Sequence, residues 1–308
     1  MKKYLYIINY PEYEEELCMM ELRELFGENI NKKYLNSDIY INPSRSPFLK
    51  EVLTVESVEE DFNEIINYIV SNNISYDDFK ILYIKLEDDD ISYEERLKSL
   101  RKIGMSINGE ANIHNPKVLL AVTRFNKKWV FARYEKNDLK WHIHEDKPKN
   151  YSNSISTRVA KALVNIAVGR DENKSIVDPC CGVGTVVIEA VSMGMKIKGY
   201  EINKCIAANA RRNLEFFGYD KDIITPMDMH EVKEKYDVAI IDLPYGLFTP
   251  ISGDEQRKLI MSARKMADKL ILVVFEDMKE IIEESGFKII DSANVNKGKF
   301  VRTIHICV

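Results

Sequence analysis

The stretch Ile176-Val-Asp-Pro-Cys-Cys-Gly-Val-Gly-Thr185 decides the fold. An apolar run ends in Asp178, a tight turn carries Gly182 and Gly184, and a helix opens near Thr185. Glycine lets the backbone approach a ligand, and a helix N-terminus attracts an anion. Many strand-to-helix turns contain a glycine pair, so a second element is needed. Glu201 supplies it: this acid ends the next apolar run, 23 residues beyond Asp178, where it can accept both hydroxyls of a ribose. The same spacing suits a nicotinamide dinucleotide fold, but the turn lacks GxGxxG and so lacks the third glycine that packs helix on strand. A nucleoside bound at the edge of a doubly wound α/β sheet is the expectation.

Outward from this turn the elements alternate regularly. The sequence predicts a helix over 159–168, strands over 175–178, 196–201, 223–226, 238–242 and 270–275, helices over 186–193 and 207–217, and a terminal strand pair at 288–291 and 302–308. Strands alternating with crossover helices mean a mainly parallel sheet covered on both faces. Toward the N-terminus the pattern is mixed. Strands are predicted over 4–9, 38–41, 79–86, 118–125 and 129–134, with helices over 11–26, 62–69 and 92–104; Ser57 and Glu60 read as a capping box before the second helix. These divide the chain into an α+β domain at 1–140, a polar linker at 141–156 and an α/β domain at 157–308. The acidic run Glu87–Asp90 reads as a solvated loop.

A second constellation is Val238-Ala-Ile-Ile-Asp-Leu-Pro-Tyr-Gly246. Its apolar strand delivers Asp242, Pro244 and Tyr245 to the same sheet edge as the glycine turn. An amine conjugated to a base ring is a poor nucleophile. A carboxylate at Asp242 can accept one N–H while a carbonyl of the Leu243–Pro244 turn accepts the other, and Tyr245 can stack on a base taken out of its helix. Taken alone, this is also what an ordinary strand-ending turn contains.

Together the two motifs carry a resemblance. DPCCGVGT is similar to the first motif of Rossmann-like methyltransferases, D-P-x-C-G-x-G-T, and DLPYG to the amino-methyltransferase motif [DN]-P-P-[YFW], with Leu243 in place of the usual proline. The segment 147–167 resembles the opening of the catalytic domain in THUMP-containing tRNA guanine-N2 methyltransferases, and Glu110-Ala-Asn-Ile-His-Asn-Pro-Lys117 resembles the end of a THUMP domain. The resemblance implies a Rossmann-like class I methyltransferase domain, a doubly wound and mainly parallel sheet, preceded by a THUMP-like or ferredoxin-like RNA-binding domain. It implies S-adenosyl-L-methionine as cofactor, lined by Asp178, Cys181, Gly182, Gly184 and Thr185, with Glu201 on the ribose and Ile202, Asp228 and Met229 around the adenine. The start of the helix near Thr157 would help hold the methionine end. The implied substrate is guanine N2 in tRNA, position 10 being a candidate, held by Asp242, Pro244 and Tyr245. Adenine-N6 methylation of RNA or DNA, glutamine methylation of a protein, and a non-catalytic RNA-binding protein with a vestigial cofactor fold stay open as alternatives.

Composition agrees with a globular chain: of 308 residues, 45% are hydrophobic and 30% charged. The net charge of -5 is distributed unevenly, near -10 over 1–116, +8 over 117–170 and -3 beyond. The basic segment interleaves Trp129, Phe131, Tyr134, Trp141 and Tyr151 among its cations, a mixture that holds phosphates and stacks bases, although strands also need aromatics. Lys117, Arg124, Lys127, Lys128, Lys147, Lys149 and Arg158 are the candidate RNA contacts. The five cysteines show no CxxC spacing and read as reduced thiols. A cysteine nucleophile for carbon methylation is disfavoured, since Cys180 and Cys181 sit in the cofactor turn and no cysteine stands directly after Pro244, where such a nucleophile would be wanted. His142 and His144 form HxH, but with Asp146 as the nearby acid they point to loop structure or RNA contact rather than a metal. The N-terminal stretch meets acid before any cleavable apolar core, and no apolar run approaches membrane-spanning length, so a cytoplasmic location is expected.

Overall fold

In the computed structural model, residues 2–28, 30, 32–87, 89–151, 154–244, 252–297 and 300–308 are described. The strands are β1 (Lys3–Ile8), β2 (Tyr34–Ser37), β3 (Leu49–Glu59), β4 (Phe79–Tyr83), β5 (Val118–Phe125), β6 (Lys128–Lys136), β7 (Ser175–Asp178), β8 (Lys196–Glu201), β9 (Ile224–Pro226), β10 (Tyr236–Asp242), β11 (Ala267–Val274), β12 (Ile289–Lys297) and β13 (Phe300–Cys307). The helices are α1 (Glu15–Phe26), α2 (Phe62–Ser71), α3 (Tyr93–Ser106), α4 (Thr157–Val168), α5 (Thr185–Ser192), α6 (Lys204–Phe216), α7 (Gly253–Met266) and α8 (Lys279–Glu284). The chain forms two units. The first comprises Met1–Asn9, Ile30–Ser44 and Phe48–Asp138, and the second Tyr10–Asn29, Arg45–Pro47 and Leu139–Val308.

The first unit is a six-stranded sheet in the order β2-β1-β3-β6-β5-β4, antiparallel except for the β4–β5 pair. Ile65 and Ile69 of α2 and Ile103 of α3 pack on Phe79, Leu120, Val122 and Phe131 of the sheet. Three local expectations change here. β3 was not anticipated, because Lys50, Glu51 and Glu56 interrupt its apolar pattern, yet it lies centrally, paired with β1 and β6. Ser57 therefore belongs to a strand, and the capping box is Asp61 with Glu64. The strand expected at 38–41 lies instead at 34–37, and the Tyr6 hydroxyl binds the turn that follows by accepting from Ile41 N at 2.6 Å and donating to Ile39 O at 3.0 Å.

The second unit is a seven-stranded sheet in the order β12-β13-β11-β10-β7-β8-β9. β11, β10, β7, β8 and β9 run parallel, and β12–β13 close the sheet as an antiparallel pair, giving the Rossmann-like, doubly wound architecture. α4 is buried on every side, as its apolar composition requires, between α1, α5 and the strands β10 and β11. The expected domain limits differ from these units in two ways. α1 packs on α4 and β12 and so belongs with the C-terminal unit. The expected linker at 141–156 also packs there, with Trp141, His144, Lys147 and Ile155 buried. Both effects are tertiary, since the apolar face of α1 finds its cover far along the chain.

Candidate active site

The sheet reverses its strand order between β7 and β10. From β7 the chain continues outward through β8 and β9, and the other half begins at β10 and continues through β11. β7 and β10 are adjacent and parallel, with Val238 opposite Ile176 and Ala239 opposite Val177. Their carboxyl ends, Asp178 and Asp242, therefore open on one crevice, where such sheets bind ligands.

Hydrogen bonds fix the glycine turn. Cys181 N donates to Tyr200 O at 2.9 Å and Gly184 N to Cys181 O at 2.8 Å. The Glu201 carboxylate accepts from Gly182 N at 3.0 Å and from Asn203 N at 2.8 Å, which orients it and leaves lone pairs on both oxygens. Gly182 and Gly184 have φ of 54° and 82°, conformations that L side chains rarely adopt. A Cβ built on Gly182 meets nothing within 4 Å among the described residues, so the backbone there faces open space. The Thr185 hydroxyl is buried and has no hydrogen-bond partner among them. Ile202 is 68% exposed next to Glu201, and Met229 is buried with its sulfur 3.5 Å from that of Cys180. Asp228 caps the short turn at Met229 by accepting from His230 N at 2.9 Å.

These residues fit S-adenosylmethionine. The carboxylate of Glu201 suits ribose hydroxyls, exposed Ile202 suits an adenine face, and the start of α5, which has no side-chain cap, suits a carboxylate. Burial pushes the Asp178 carboxyl well above the usual range, with repulsion from Asp242 and Glu201 adding to it. A sulfonium cation would relieve that repulsion. Burial likewise pushes the Cys180 and Cys181 thiols up, with Asp178 and Glu201 contributing, so both stay protonated and neither is an activated nucleophile.

On the other side of the crevice, Leu243 departs from the proline pattern by burying its side chain in the core, 2% exposed, and donating its N–H to Val273 O at 3.0 Å. Gln256 of α7, which the sequence reading passed over, donates its amide to Pro244 O at 3.3 Å. The carbonyl keeps a second lone pair. Tyr245 lies outside the described residues.

The candidate RNA contacts separate into two groups. In the first unit, Lys117 pairs with Asp78 at 2.7 Å and Lys128 with Glu60 at 3.3 Å, both with exposed side chains. Arg124 lies over the Trp129 ring at 5.5 Å and donates to the carbonyl of Lys127, a residue of the β5–β6 turn. In the second unit Lys149 is exposed. Lys147 is corrected: it is buried, and desolvation lowers its pKa, so it is no surface contact. Arg158 is half-buried, held by Glu14 at 3.1 Å and over Trp141. The HxH pair also resolves into packing contacts. His142 meets Glu145 at 3.1 Å, and buried His144 meets buried Glu189 at 2.5 Å. No helix is long and apolar enough to cross a membrane among the described residues.

The chain is similar to several known proteins. A tRNA (guanine(10)-N2)-dimethyltransferase of Methanothermobacter thermautotrophicus is 27% identical over 156 residues, which is 49% of this chain and 46% of that protein, so the chain spans about half the length of this relative. One of the same description from Methanocaldococcus jannaschii is 25% identical over 263 residues, 77% of this chain and 70% of the relative. The crystal structure of TrmN from Thermus thermophilus aligns over 99% of both chains with 12% identity and a TM-score of 0.49. Residues 145–300, half of the chain and the part that carries both strand-end turns, match the UPF0020 family, and the chain belongs to this family of RMKL-like methyltransferase domains.

Proposed function

We propose that the chain methylates an exocyclic base amine of RNA, guanine N2 in tRNA, with S-adenosylmethionine as methyl donor. The observation that carries this reading is the adjacency of two turns, one after Asp178 and one after Asp242, at the carboxyl ends of neighbouring parallel strands. The names of the tRNA guanine-N2 relatives support the choice of base and of RNA.

Gly182, Thr185, Glu201, Ile202 and Met229 would hold the donor, which supplies an electrophilic methyl carbon on sulfur. Asp242 accepts an N–H of the base amine and turns its lone pair toward that carbon, so positioning lowers much of the barrier. Its negative charge would also favour the positive charge that grows on nitrogen as the N–C bond forms and the C–S bond breaks; S-adenosylhomocysteine would leave, and the alkylated nitrogen would lose its surplus proton to solvent. The Leu243 carbonyl accepts the second N–H, a role that does not depend on the side chain at 243, and Tyr245 stacks on the extruded base. Lys117, Arg124, Lys127 and Lys128 would contact phosphates through the first unit, in the manner expected of a THUMP-like domain.

Asp242→Ala is expected to abolish turnover, by at least about a hundredfold, while S-adenosylhomocysteine affinity measured by calorimetry stays within a few-fold. Mass spectrometry of tRNA nucleosides after reaction with the parent chain identifies the base. N2-methylguanosine supports the reading, N6-methyladenosine moves the chemistry to adenine, and normal turnover by the variant removes the mechanism.

A further inference from the structure

The side chain of Asn213 is fully buried on the face of α6 that carries Ala207, Ala210 and Leu214. A carboxamide in that position must find partners for its carbonyl and both N–H groups. It finds all three, in two separate segments. Its Oδ1 accepts from the backbone N–H of Lys149 at 2.9 Å, and its Nδ2 donates to Lys149 O at 2.8 Å and to Val183 O at 3.0 Å. Val183 stands between Gly182 and Gly184, so the amide restrains a turn whose two glycines would otherwise leave it free to move. Lys149 presents its side chain to solvent from the same clamp. Two residues on, Tyr151 is 47% exposed, and its hydroxyl lies 3.5 Å from Asn209 Nδ2 of α6. An exposed cation and an exposed aromatic thus share one support with the cofactor turn, a pairing that suits a phosphate and a stacked base.

We propose that Asn213 is a positioning residue that locks the 182–184 turn and the exposed 149–151 stretch into one frame, and that this stretch is an RNA-contact surface held in register with the methyl-transfer site. The proposal rests on the RNA-methylation reading above. Simple filling of space by Asn213 is the competing account, and the isosteric aspartate separates the two. Asn213→Asp keeps the size but loses both donated bonds and sets a carboxylate against two carbonyl oxygens. Lys149→Ala leaves the backbone clamp intact and removes only the side chain.

The test uses the full chain, calorimetry with S-adenosylhomocysteine, and steady-state methylation of tRNA. Asn213→Asp is expected to weaken S-adenosylhomocysteine binding roughly tenfold, the loss that buried unpaired polar groups produce, and to raise KM for tRNA more than it lowers kcat. Lys149→Ala is expected to raise KM for tRNA while leaving S-adenosylhomocysteine affinity unchanged, and to add little in the Asn213→Asp background. Parent-like affinity of Asn213→Asp for S-adenosylhomocysteine, or full additivity of the two variants in KM for tRNA, overturns the proposal. Should the Asn213 variants show no cooperative melting, Lys149→Pro deletes the N–H that Asn213 receives without touching α6. Weakened S-adenosylhomocysteine binding then supports the clamp, and unchanged binding overturns it. If the parent methylates no tRNA, the functional reading fails, and the calorimetric arm still decides whether Asn213 sets the cofactor turn.

Discussion

Gly182 and Gly184 both hold positive φ, yet a methyl group at each would meet different surroundings. At Gly184 it would lie 3.2 Å from Ile224 Cδ1 and 3.4 Å from the Ala210 side chain, inside the packing between turn and α6. At Gly182 it would meet nothing within 4 Å among the described residues. Both substitutions carry the left-handed backbone cost of about 1–2 kcal/mol, but Gly184→Ala adds overpacking of about 1–3 kcal/mol. Gly184→Ala is therefore expected to show the larger drop in melting temperature without ligand. Gly182→Ala is expected to show the smaller drop and the larger loss of S-adenosylhomocysteine affinity. Calorimetry and thermal melting of the two variants check the ordering, and parent-like affinity in Gly182→Ala would mean that the ligand lies elsewhere. Burial, with the nearby carboxylates of Asp242 and Glu201, pushes the Asp178 carboxyl up, a repulsion that a bound cation would relieve.

At the scale of elements, legibility followed the range of the interactions. The turn after Asp178, the acid at Glu201 and the Asp242 turn could be read because a strand, a glycine turn and a helix start are local patterns, and the parallel order follows from alternation. Asn213 left a faint local trace, a polar residue in helical phase with Ala207, Ala210 and Leu214. The His144–Glu189 pair and the packing of α1 left none, because their partners are 45 or more residues away. Glu21 of α1 shows what that hides. It is buried and accepts from Ser46 Oγ at 2.5 Å and from Asn165 Nδ2 of α4 at 2.6 Å. Desolvation raises its pKa from 4.5 to about 7, against the hydrogen bonds and the charges of Arg45 and Lys161, which lower it. Between those values the folded chain binds the proton that the unfolded chain has released, so this group's contribution to stability falls as pH rises from 4.5 through 7. Glu21→Gln cannot titrate and can keep both hydrogen bonds. Its stability relative to the parent is expected to rise between pH 5 and pH 8, by at most about 3 kcal/mol. Denaturant melts at the two pH values measure it, and a difference that does not change with pH would place the proton elsewhere.

At the scale of the whole molecule, sequence order and structural unit do not coincide. Tyr10–Asn29 and Arg45–Pro47 lie within the N-terminal third of the chain but complete the catalytic unit. α1 buries Leu17, Met20, Leu22, Leu25 and Phe26, and Arg23 binds Asp291 at 2.8 Å while Lys269 binds Glu24 at 2.7 Å. Arg45 donates to Asn165 and to Gly169 O, fastening the end of α4. Each large apolar side chain buried contributes roughly 1.5–3 kcal/mol, so the five together match the whole stability of about 5–15 kcal/mol typical of a domain. A fragment of residues 139–308, although it contains the cofactor turn and Asp242, is therefore expected not to fold stably, because α4 loses one of its covers. It should bind a hydrophobic dye, melt without cooperativity and fail to bind S-adenosylhomocysteine. Joining residues 10–29 to it through a flexible glycine-serine linker should restore a cooperative transition, since α1 can then reach α4 without the first unit. A 139–308 fragment that melts cooperatively at the temperature of the full chain would show that α1 is only an accessory to the catalytic fold.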